Sequence, residues 1–323
     1  MSFKLGETAN TIDEQMTRFM PLIPLIGLLF GFFLPGFFIQ LRPLTPWLIG
    51  LMTFSGALRL RVAEFGGVIK RPLPLLVFFV FARIIMPLYI LFVSSFVFRG
   101  SPDTITGFVL LYATPTAASG FIWIVAYRGD KALGLTLILL DTALSPLIMP
   151  GTLSVLRGGN VTIDTGSIMV SMFFMVVLPT IIGVALNESS RGKIPAVISP
   201  YFNPLAKISM PVIIAANASL ALPSIKFNDL QIWKIAGMSI FFLITAVILA
   251  RLAAYLFRFD FERSVALTFP ASQRNTSVTI TIAVGFFPEA IALPALINIL
   301  FQQILSGLAG RVLFRKGSNQ VVL

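Results

Sequence analysis

The sequence contains no cysteine and no histidine in 323 residues, and only 11% of its residues are charged. The absence of cysteine excludes disulfides, thiol nucleophiles and thiolate metal ligands. The absence of histidine excludes imidazole metal sites and histidine-based proton relays. Few groups remain that could support catalysis. We therefore expect neither enzymatic activity nor a cofactor.

Charge is scarce because apolar residues dominate: 57% of the chain is hydrophobic and its mean hydropathy is +0.93. Soluble domains carry about 25% charged and 45–50% apolar residues, so one soluble core could not bury this much apolar surface. The composition predicts an all-α polytopic membrane protein in a lipid bilayer. The net charge is +11, but the basic residues occur singly between apolar runs. We expect no nucleic-acid partner.

A membrane-spanning helix needs about 20 mainly apolar residues. About ten segments qualify: 19–41, 45–60, 72–98, 105–126, 131–155, 166–186, 204–222, 232–257, 264–287 and 290–314. Ten segments divide into two sets of five, and an odd number per set predicts two inverted repeats. The predicted organisation is an N-terminal surface segment (1–18), a first repeat (19–187), a second repeat (188–315) and a C-terminal tail (316–323).

The distribution of basic residues predicts the orientation. With the N-terminus inside, 16 Lys and Arg residues fall in inner loops and 5 in outer loops, while Arg83, Arg251 and Arg274 lie within segments. Because inner loops of membrane proteins carry the excess of basic residues, we expect both termini in the cytoplasm. The predicted location is the plasma (inner) membrane, as a monomer or a homodimer.

The fourth and ninth segments are interrupted near their middles. The first interruption, 114–120, contains Pro115, Thr116, Ser119 and Gly120, and the second, 269–277, contains Pro270. Unpaired backbone groups are costly in lipid, so irregular backbone persists only where protein or a polar cavity covers it. A matched pair of breaks is typical of the substrate site of a secondary transporter. The alternative is a pair of ordinary proline kinks with small residues for close helix packing.

Three charged side chains, Arg83, Asp141 and Arg274, fall near the middles of their segments. A charge at that depth costs between about 2.5 and more than 10 kcal/mol, and so indicates function by default. We predict an anion site lined by Arg274 and Arg83, with Asp141 orienting a guanidinium. The alternative is a structural salt bridge between helices.

Polar residues along the ninth segment must face the interior of the bundle, because lipid would not tolerate them. They are Gln273, Asn275, Thr276, Ser277 and Thr279. We include the first three, with Thr116 and Ser119, among the candidate substrate-binding residues. Weaker candidates, whose amides and hydroxyl could simply link helices, are Asn217, Ser219, Gln302 and Gln303.

Several stretches resemble the bile acid:sodium symporter family along almost the whole chain: 50–58 (GLMTFSGAL), 115–119 (PTAAS), 127–133 (YRGDKAL), 144–147 (LSPL) and 273–277 (QRNTS). The resemblance implies ten helices in two domains. A panel domain holds helices 1, 2, 6 and 7, and a core domain holds the others, with discontinuous helices 4 and 9 crossing. It also implies alternating-access transport of small organic anions, either bile-acid-like or simple carboxylates and sulfonates.

The residues at the family's sodium-ligand positions depart from the family pattern. The resemblance places a glutamate of sodium-binding members at Pro270 and a glutamine at Arg274, and the remaining ligand positions at Gly120, Phe121, Gly134 and Ile138. Sodium prefers oxygen ligands, and an adjacent guanidinium would repel it. We expect no metal there. Our hypothesis is that Arg274 occupies the place of a sodium ion, with Asp141 as its counter-ion, and that transport is proton-coupled, exchanging or facilitated.

Other functions stay open at this point. A sodium-coupled symporter with displaced ion sites is the main alternative. A related family exports arsenite through a cysteine in the fourth helix, which this chain lacks. An intramembrane enzyme would have only Asp141 as a catalytic group, and a channel would lack saturable counterflow. The residues do not distinguish steroid acids from small keto or hydroxy acids and sulfonates.

Overall fold

The computed structural model describes residues 23–58, 68, 72–156, 164–221 and 229–314, and the predicted surface segment 1–18 and tail 316–323 lie outside them. The regular elements of the described residues are helices. Those used below are α1 (Ile23–Phe33), α2 (Thr45–Ala57), α3 (Leu73–Val97), α4a (Pro102–Ala113), α4b (Gly120–Ala126), α5 (Lys131–Leu156), α6 (Thr165–Ser189), α7 (Lys193–Ala221), α8 (Leu230–Leu256), α9a (Phe261–Ser272), α9b (Thr276–Phe286) and α10 (Leu293–Leu313).

The apolar helices identify a polytopic membrane protein. Six helices of the described ranges are long and apolar enough to cross a bilayer, and a seventh span is present if the bent pair α1 and α2 is counted. The prediction of one helix over 19–41 is wrong, because α1 ends at Phe33 and the chain bends by 101°. Pro35 disfavours helical backbone at Leu34, and a short 3-10 helix containing Pro43 then leads into α2.

The start of α7 also differs from its prediction. A helix is predicted to begin at 204, after the polar stretch 187–203 at the boundary of the two repeats, but α7 begins at Lys193. The connection from α6 to α7 is a tight turn in which Arg191 and Gly192 have φ angles of 52° and 83°. Prolines inside α7 do not end it, because long helices in membrane proteins accommodate proline through neighbouring groups. They are Pro200, Pro204 and Pro211.

The helices α1, α2, α6 and α7 pack as one group, held by close approach of their backbones. A Cβ atom added to Gly27 of α1 would lie 2.8 Å from the Pro211 carbonyl oxygen, and one added to Gly31 would lie 2.7 Å from that of Ala215. Only glycine permits such contact between helices. The Ser55 hydroxyl of α2 donates to the Asn203 Oδ1 atom of α7 at 3.0 Å.

Aromatic side chains position the broken helices within the remaining group. Trp123 of α4b and Tyr127, directly after α4b, stack on Phe269 of α9a, with ring centroids 6.2 and 5.8 Å from that of Phe269. The same two rings lie over Gly307 and Gly310 of α10, where an added Cβ would collide with them. The short helix α4b is therefore held between α9a and α10.

Candidate functional site

Both predicted helix breaks are present, but the second is shorter than predicted, because α9a continues through Pro270 to Ser272 and α9b begins at Thr276. The backbones of the two breaks pair with each other in the interior. Thr116 and Arg274 form an isolated antiparallel bridge. The Ala117 amide donates to the Gln273 carbonyl at 3.3 Å, and the Asn275 amide donates to the Pro115 carbonyl at 2.8 Å. The two breaks thus form a short ribbon that satisfies part of the backbone released from each helix.

Side chains satisfy more of the released backbone. The Thr116 hydroxyl contacts the carbonyls of Pro270 and Gln273 at 2.6 and 3.0 Å. Asn275 is the N-cap of α9b, where its Oδ1 atom accepts from the Val278 amide at 3.2 Å. Two predicted substrate-binding residues, Thr116 and Asn275, therefore also hold the crossing together.

A buried ion pair joins α3 to α5. The Arg83 Nε and Nη2 atoms each lie 2.5 Å from the Asp141 Oδ1 atom, and both side chains are almost entirely enclosed. The structure therefore corrects the assignment of Asp141 as the counter-ion of Arg274: it pairs with Arg83 instead. The salt-bridge alternative is the arrangement observed for these two residues.

The same pair holds the ends of the fourth-helix break. Arg83 Nη1 donates to the carbonyls of Ala113 and Thr114, at 2.6 and 3.1 Å, where α4a ends. The Asp141 Oδ2 atom accepts from the Thr116 amide at 2.7 Å. A cation at the C-terminal carbonyls and an anion at a free amide both complement the backbone charge. Both charges are thereby committed to protein partners.

Arg274 is buried, with 1% of its surface exposed, and forms no ion pair with a carboxylate in the described part of the chain. Its Nη2 atom donates to the carbonyls of Ala82 and Ala271, both at 3.2 Å. Its guanidinium carbon lies 5.7 Å from the centre of the Tyr112 ring. The Nε and Nη1 atoms have no acceptor in the described protein.

The backbone of α3 changes from α to π geometry at Phe81–Ile85, next to this site. Such a widened turn alters the hydrogen bonding of the helix, and π turns are frequent at functional sites. Here it contains both Arg83, which pairs with Asp141, and Ala82, whose carbonyl accepts from Arg274. The turn therefore supplies the Arg83 guanidinium and one acceptor for the Arg274 guanidinium.

A second polar cluster links the two breaks to α10. The Gln303 Nε2 atom donates to the Ser119 hydroxyl at 2.9 Å, the Ser119 hydroxyl donates to Gln273 Oε1 at 3.2 Å, and Trp123 Nε1 donates to Gln303 Oε1 at 3.2 Å. The Gln273 Nε2 atom has no acceptor among the described atoms. Ser119 and Gln303 are half-buried. The predicted site residues therefore divide into two clusters rather than one.

The remaining predicted positions contribute little polarity. Thr276 is buried, and its amide donates to the Arg274 carbonyl at 2.9 Å. A Cβ atom at Gly134 would collide with Ile124, and one at Gly120 would lie 3.7 Å from Pro270. With the side chains Phe121 and Ile138, the positions predicted to correspond to sodium ligands of the family carry apolar groups and the Arg274 cation.

Sequence reasoning underestimated one face of α10. Asn298, Gln302 and Ser306 are all buried, and Gln302 binds the backbone of Arg274. Their spacing of four residues places them on one helix face, and this pattern in the sequence indicates a polar face directed into the protein. Tyr112 could not be identified as a site residue in this way, because a tyrosine in an apolar segment is common.

The two helix groups meet at α9b through polar contacts. The Asn217 Nδ2 atom of α7 donates to the Thr281 hydroxyl at 3.0 Å. The Arg42 Nη2 atom, between α1 and α2, donates to the Val284 carbonyl at 2.6 Å near the end of α9b. These contacts link the group of α1, α2, α6 and α7 to the broken ninth helix.

Comparison with known proteins identifies the family. Residues 46–228 match the Sodium Bile acid symporter family. The chain is 34% identical over 296 residues to an uncharacterized Bacillus subtilis protein, YbaS, spanning 92% of this chain and 97% of that protein. It is 22% identical over 324 residues to the probable sodium/metabolite cotransporter BASS1, chloroplastic, of Arabidopsis thaliana, spanning 98% and 78% of the two chains.

A third relative is the uncharacterized sodium-dependent transporter YocS of Bacillus subtilis, which is 21% identical over 272 residues, spanning 83% of this chain and 82% of that protein. The names of BASS1 and YocS describe transporters rather than enzymes. The protein is an integral membrane transporter, and its chain belongs to the sodium bile acid symporter family.

Proposed function

We propose that this protein moves a small organic anion across the plasma membrane by alternating access, and that Arg274 is the residue that recognises the anion. The observation that carries the proposal is the state of Arg274: a buried guanidinium at the crossing of two broken helices, without a carboxylate partner in the described residues. A buried cation requires compensation, and an anionic ligand would supply it.

The unused groups around Arg274 favour an oxyanion. The Nε and Nη1 atoms of Arg274 can only donate, and the neighbouring Tyr112 hydroxyl also has no hydrogen-bond partner among the described residues. Guanidinium groups bind carboxylates and sulfonates through such N–H donors. The N-terminus of α9b begins two residues after Arg274 and adds partial positive charge. A carboxylate or sulfonate suits this environment better than a neutral or cationic substrate.

Transport independent of sodium is part of the proposal. Two backbone carbonyls, of Ala82 and Ala271, bind the Arg274 Nη2 atom as they would bind a metal cation. Glycine, proline, phenylalanine and isoleucine side chains at the family positions offer no oxygen ligand. The sodium in the names of BASS1 and YocS belongs to those proteins. A symporter with displaced sodium sites is the alternative.

For the architecture, we propose the ten-span, inverted-repeat plan with both termini in the cytoplasm. The group of α1, α2, α6 and α7 would act as the panel domain, and the helices around the crossing would act as the core domain. Relative movement of the two groups would open Arg274 to one side of the membrane and then the other. The contacts of Arg42 and Asn217 with α9b lie on the surface where that movement would occur.

The first experiment measures binding by thermal stabilisation of the purified protein. Organic anions are screened against the wild type, Arg274→Gln and the control Arg251→Gln, which removes a half-buried arginine stacked on Phe314. An anion at 100 times its Kd stabilises the folded protein by about 2.7 kcal/mol. We expect stabilisation in the wild type and the control but not in Arg274→Gln. Stabilisation of all three proteins would contradict the role of Arg274.

The second experiment tests the coupling ion. Uptake of an anion that stabilises the protein is measured in proteoliposomes containing either sodium or N-methylglucamine, at a fixed pH gradient and membrane potential. We expect equal initial rates. A steep dependence on sodium would overturn sodium independence and favour the symporter alternative, while leaving the binding role of Arg274 intact.

A further inference from the structure

The described interior holds an unequal number of positive and negative charges. Its buried charged side chains are Arg83, Asp141 and Arg274, with exposures of 7%, 0% and 1%. Two cations and one anion leave one positive charge without compensation. The half-buried Arg251 lies over Phe314 near the end of α8 and is not part of the crossing.

The Asp141 carboxylate is already used and cannot balance Arg274. Its Oδ1 atom is bound to Arg83 and its Oδ2 atom accepts from the Thr116 amide. If the carboxylate bound Arg274 instead, Arg83 and the Thr116 amide would lose their acceptor, and both groups are buried. The uncompensated charge therefore belongs to Arg274.

We propose that the substrate is a monovalent anion and that the protein is an exchanger of such anions. The inference rests on the proposed function, in which Arg274 binds the anion. One negative charge makes the crossing neutral. A divalent anion would leave one buried negative charge, and a neutral analogue would leave the positive charge of Arg274 in place. The charge of the site thus selects the charge of the substrate.

Exchange follows from the cost of closing the site without substrate. Alternating access passes through a conformation in which the site is shut off from water on both sides. With a monovalent anion bound, the crossing is neutral and the Nε and Nη1 donors of Arg274 have an acceptor. Without it, an unpaired charge and two unsatisfied N–H groups would be enclosed. The loaded protein therefore changes conformation readily, and the empty protein does so slowly.

Binding is tested with three pairs of related anions, each with a monovalent and a divalent member: lactate and malate, benzoate and phthalate, and methanesulfonate and methanedisulfonate. Lactamide and benzamide serve as neutral analogues. Within each pair that binds, we expect the monovalent anion to bind the wild type at least about tenfold more tightly than the divalent one. Arg251→Gln should keep this preference, and Arg274→Gln should lose it. Equal binding of monovalent and divalent anions by the wild type would overturn the inference.

Flux is tested with the labelled monovalent anion that binds most tightly, in proteoliposomes clamped at zero potential with potassium and valinomycin. Vesicles preloaded with the same unlabelled anion should take up label at least about tenfold faster than vesicles containing potassium sulfate. Equal rates would overturn the exchange mechanism while Arg274-dependent binding remained. If no probe binds, or if binding survives Arg274→Gln, the proposed function itself fails, and this inference fails with it.

Discussion

Gln302 binds both backbone groups of Arg274 with its side-chain amide. The Arg274 amide donates to Gln302 Oε1, and Gln302 Nε2 donates to the Arg274 carbonyl, both at 3.0 Å. The side chain thus acts as the partner that a neighbouring strand would provide. Because Thr116 pairs with Arg274 on the ribbon's other side, the residue is fixed from two directions.

Replacing the side chain of Gln302 should destabilise the folded protein more than replacing that of its neighbour Gln303. In Gln302→Leu the buried Arg274 amide and the Asn298 side-chain amide lose their acceptor, whereas the Arg274 carbonyl keeps the Thr276 amide. We expect a loss of about 2–4 kcal/mol in the free energy of unfolding. Gln303→Leu removes contacts to Trp123 and Ser119 at a half-buried position, and should cost less than about 1.5 kcal/mol. Denaturant unfolding in detergent measures both. Equal losses of unfolding free energy in the two variants would show that the contact of Gln302 with Arg274 does not contribute more to stability than the contacts of Gln303.

The ion pair between Arg83 of α3 and Asp141 of α5 predicts that substitutions of the two residues have coupled effects on stability. Arg83→Met leaves Asp141 charged and buried, and should destabilise the protein by about 3–5 kcal/mol. Asp141→Asn keeps an acceptor for the Thr116 amide, so Asp141→Leu should be the more damaging change at that position.

A double-mutant cycle checks the coupling of this pair. The double variant Arg83→Met/Asp141→Asn should be more stable than Arg83→Met alone, because the isolated carboxylate is removed. Additive losses in the unfolding free energy would contradict an energetic link between the two residues.

Cross-linking can test whether the two helix groups move relative to each other. The sequence has no cysteine, so introduced thiols are the only ones present. In Asn217→Cys/Thr281→Cys, a short bifunctional thiol reagent would join α7 to α9b, and we expect anion exchange in proteoliposomes to stop. The matched control Ser55→Cys/Asn203→Cys joins α2 to α7 within one group and should retain exchange. Full activity of the cross-linked 217/281 variant would exclude movement at this contact.

The start of α6 should depend on pH through Asp164, which is the N-cap outside the membrane-spanning segment. Hydrogen bonds from the side chain and the amide of Ser167 lower the pKa of Asp164 below its usual value. A lowered pKa stabilises the folded state above the unfolded pKa of about 3.9, and that stabilisation is lost as the pH falls through the folded value. It is therefore fully present at neutral pH.

Hydrogen exchange at the Ser167 amide measures this effect. Compared at each pH with Asp164→Asn, which caps the helix without titrating, protection in the wild type should fall as the pH decreases below about 4. A constant ratio between the two proteins would contradict the role of the carboxylate.

Local chemistry made part of this structure predictable. Apolar runs predict the long helices, and the first break contains the predicted Pro115. The second break follows Pro270, which lies in the last turn of α9a. The apolar run of α7 starts only at 204, whereas the helix begins at Lys193, because its first turns lie in the polar stretch 187–203. The sequence does not show which arginine pairs with Asp141, because Arg83 and Arg274 both lie near the middles of their segments. The packing of the helices decides it: Arg83 of α3 contacts Asp141 of α5, whereas Arg274 donates to the Ala82 carbonyl of α3.

The glycine contacts of α1 with α7 have a mechanical consequence. With Gly27 and Gly31 against the carbonyls of Pro211 and Ala215, the two helices pack backbone to backbone, and a Cβ atom at either position would push them apart. Any larger residue there would therefore separate α1 from α7. In the proposed transport cycle the movement would instead occur along α9b, where the contacts of Arg42 and Asn217 are hydrogen bonds that can be broken and remade.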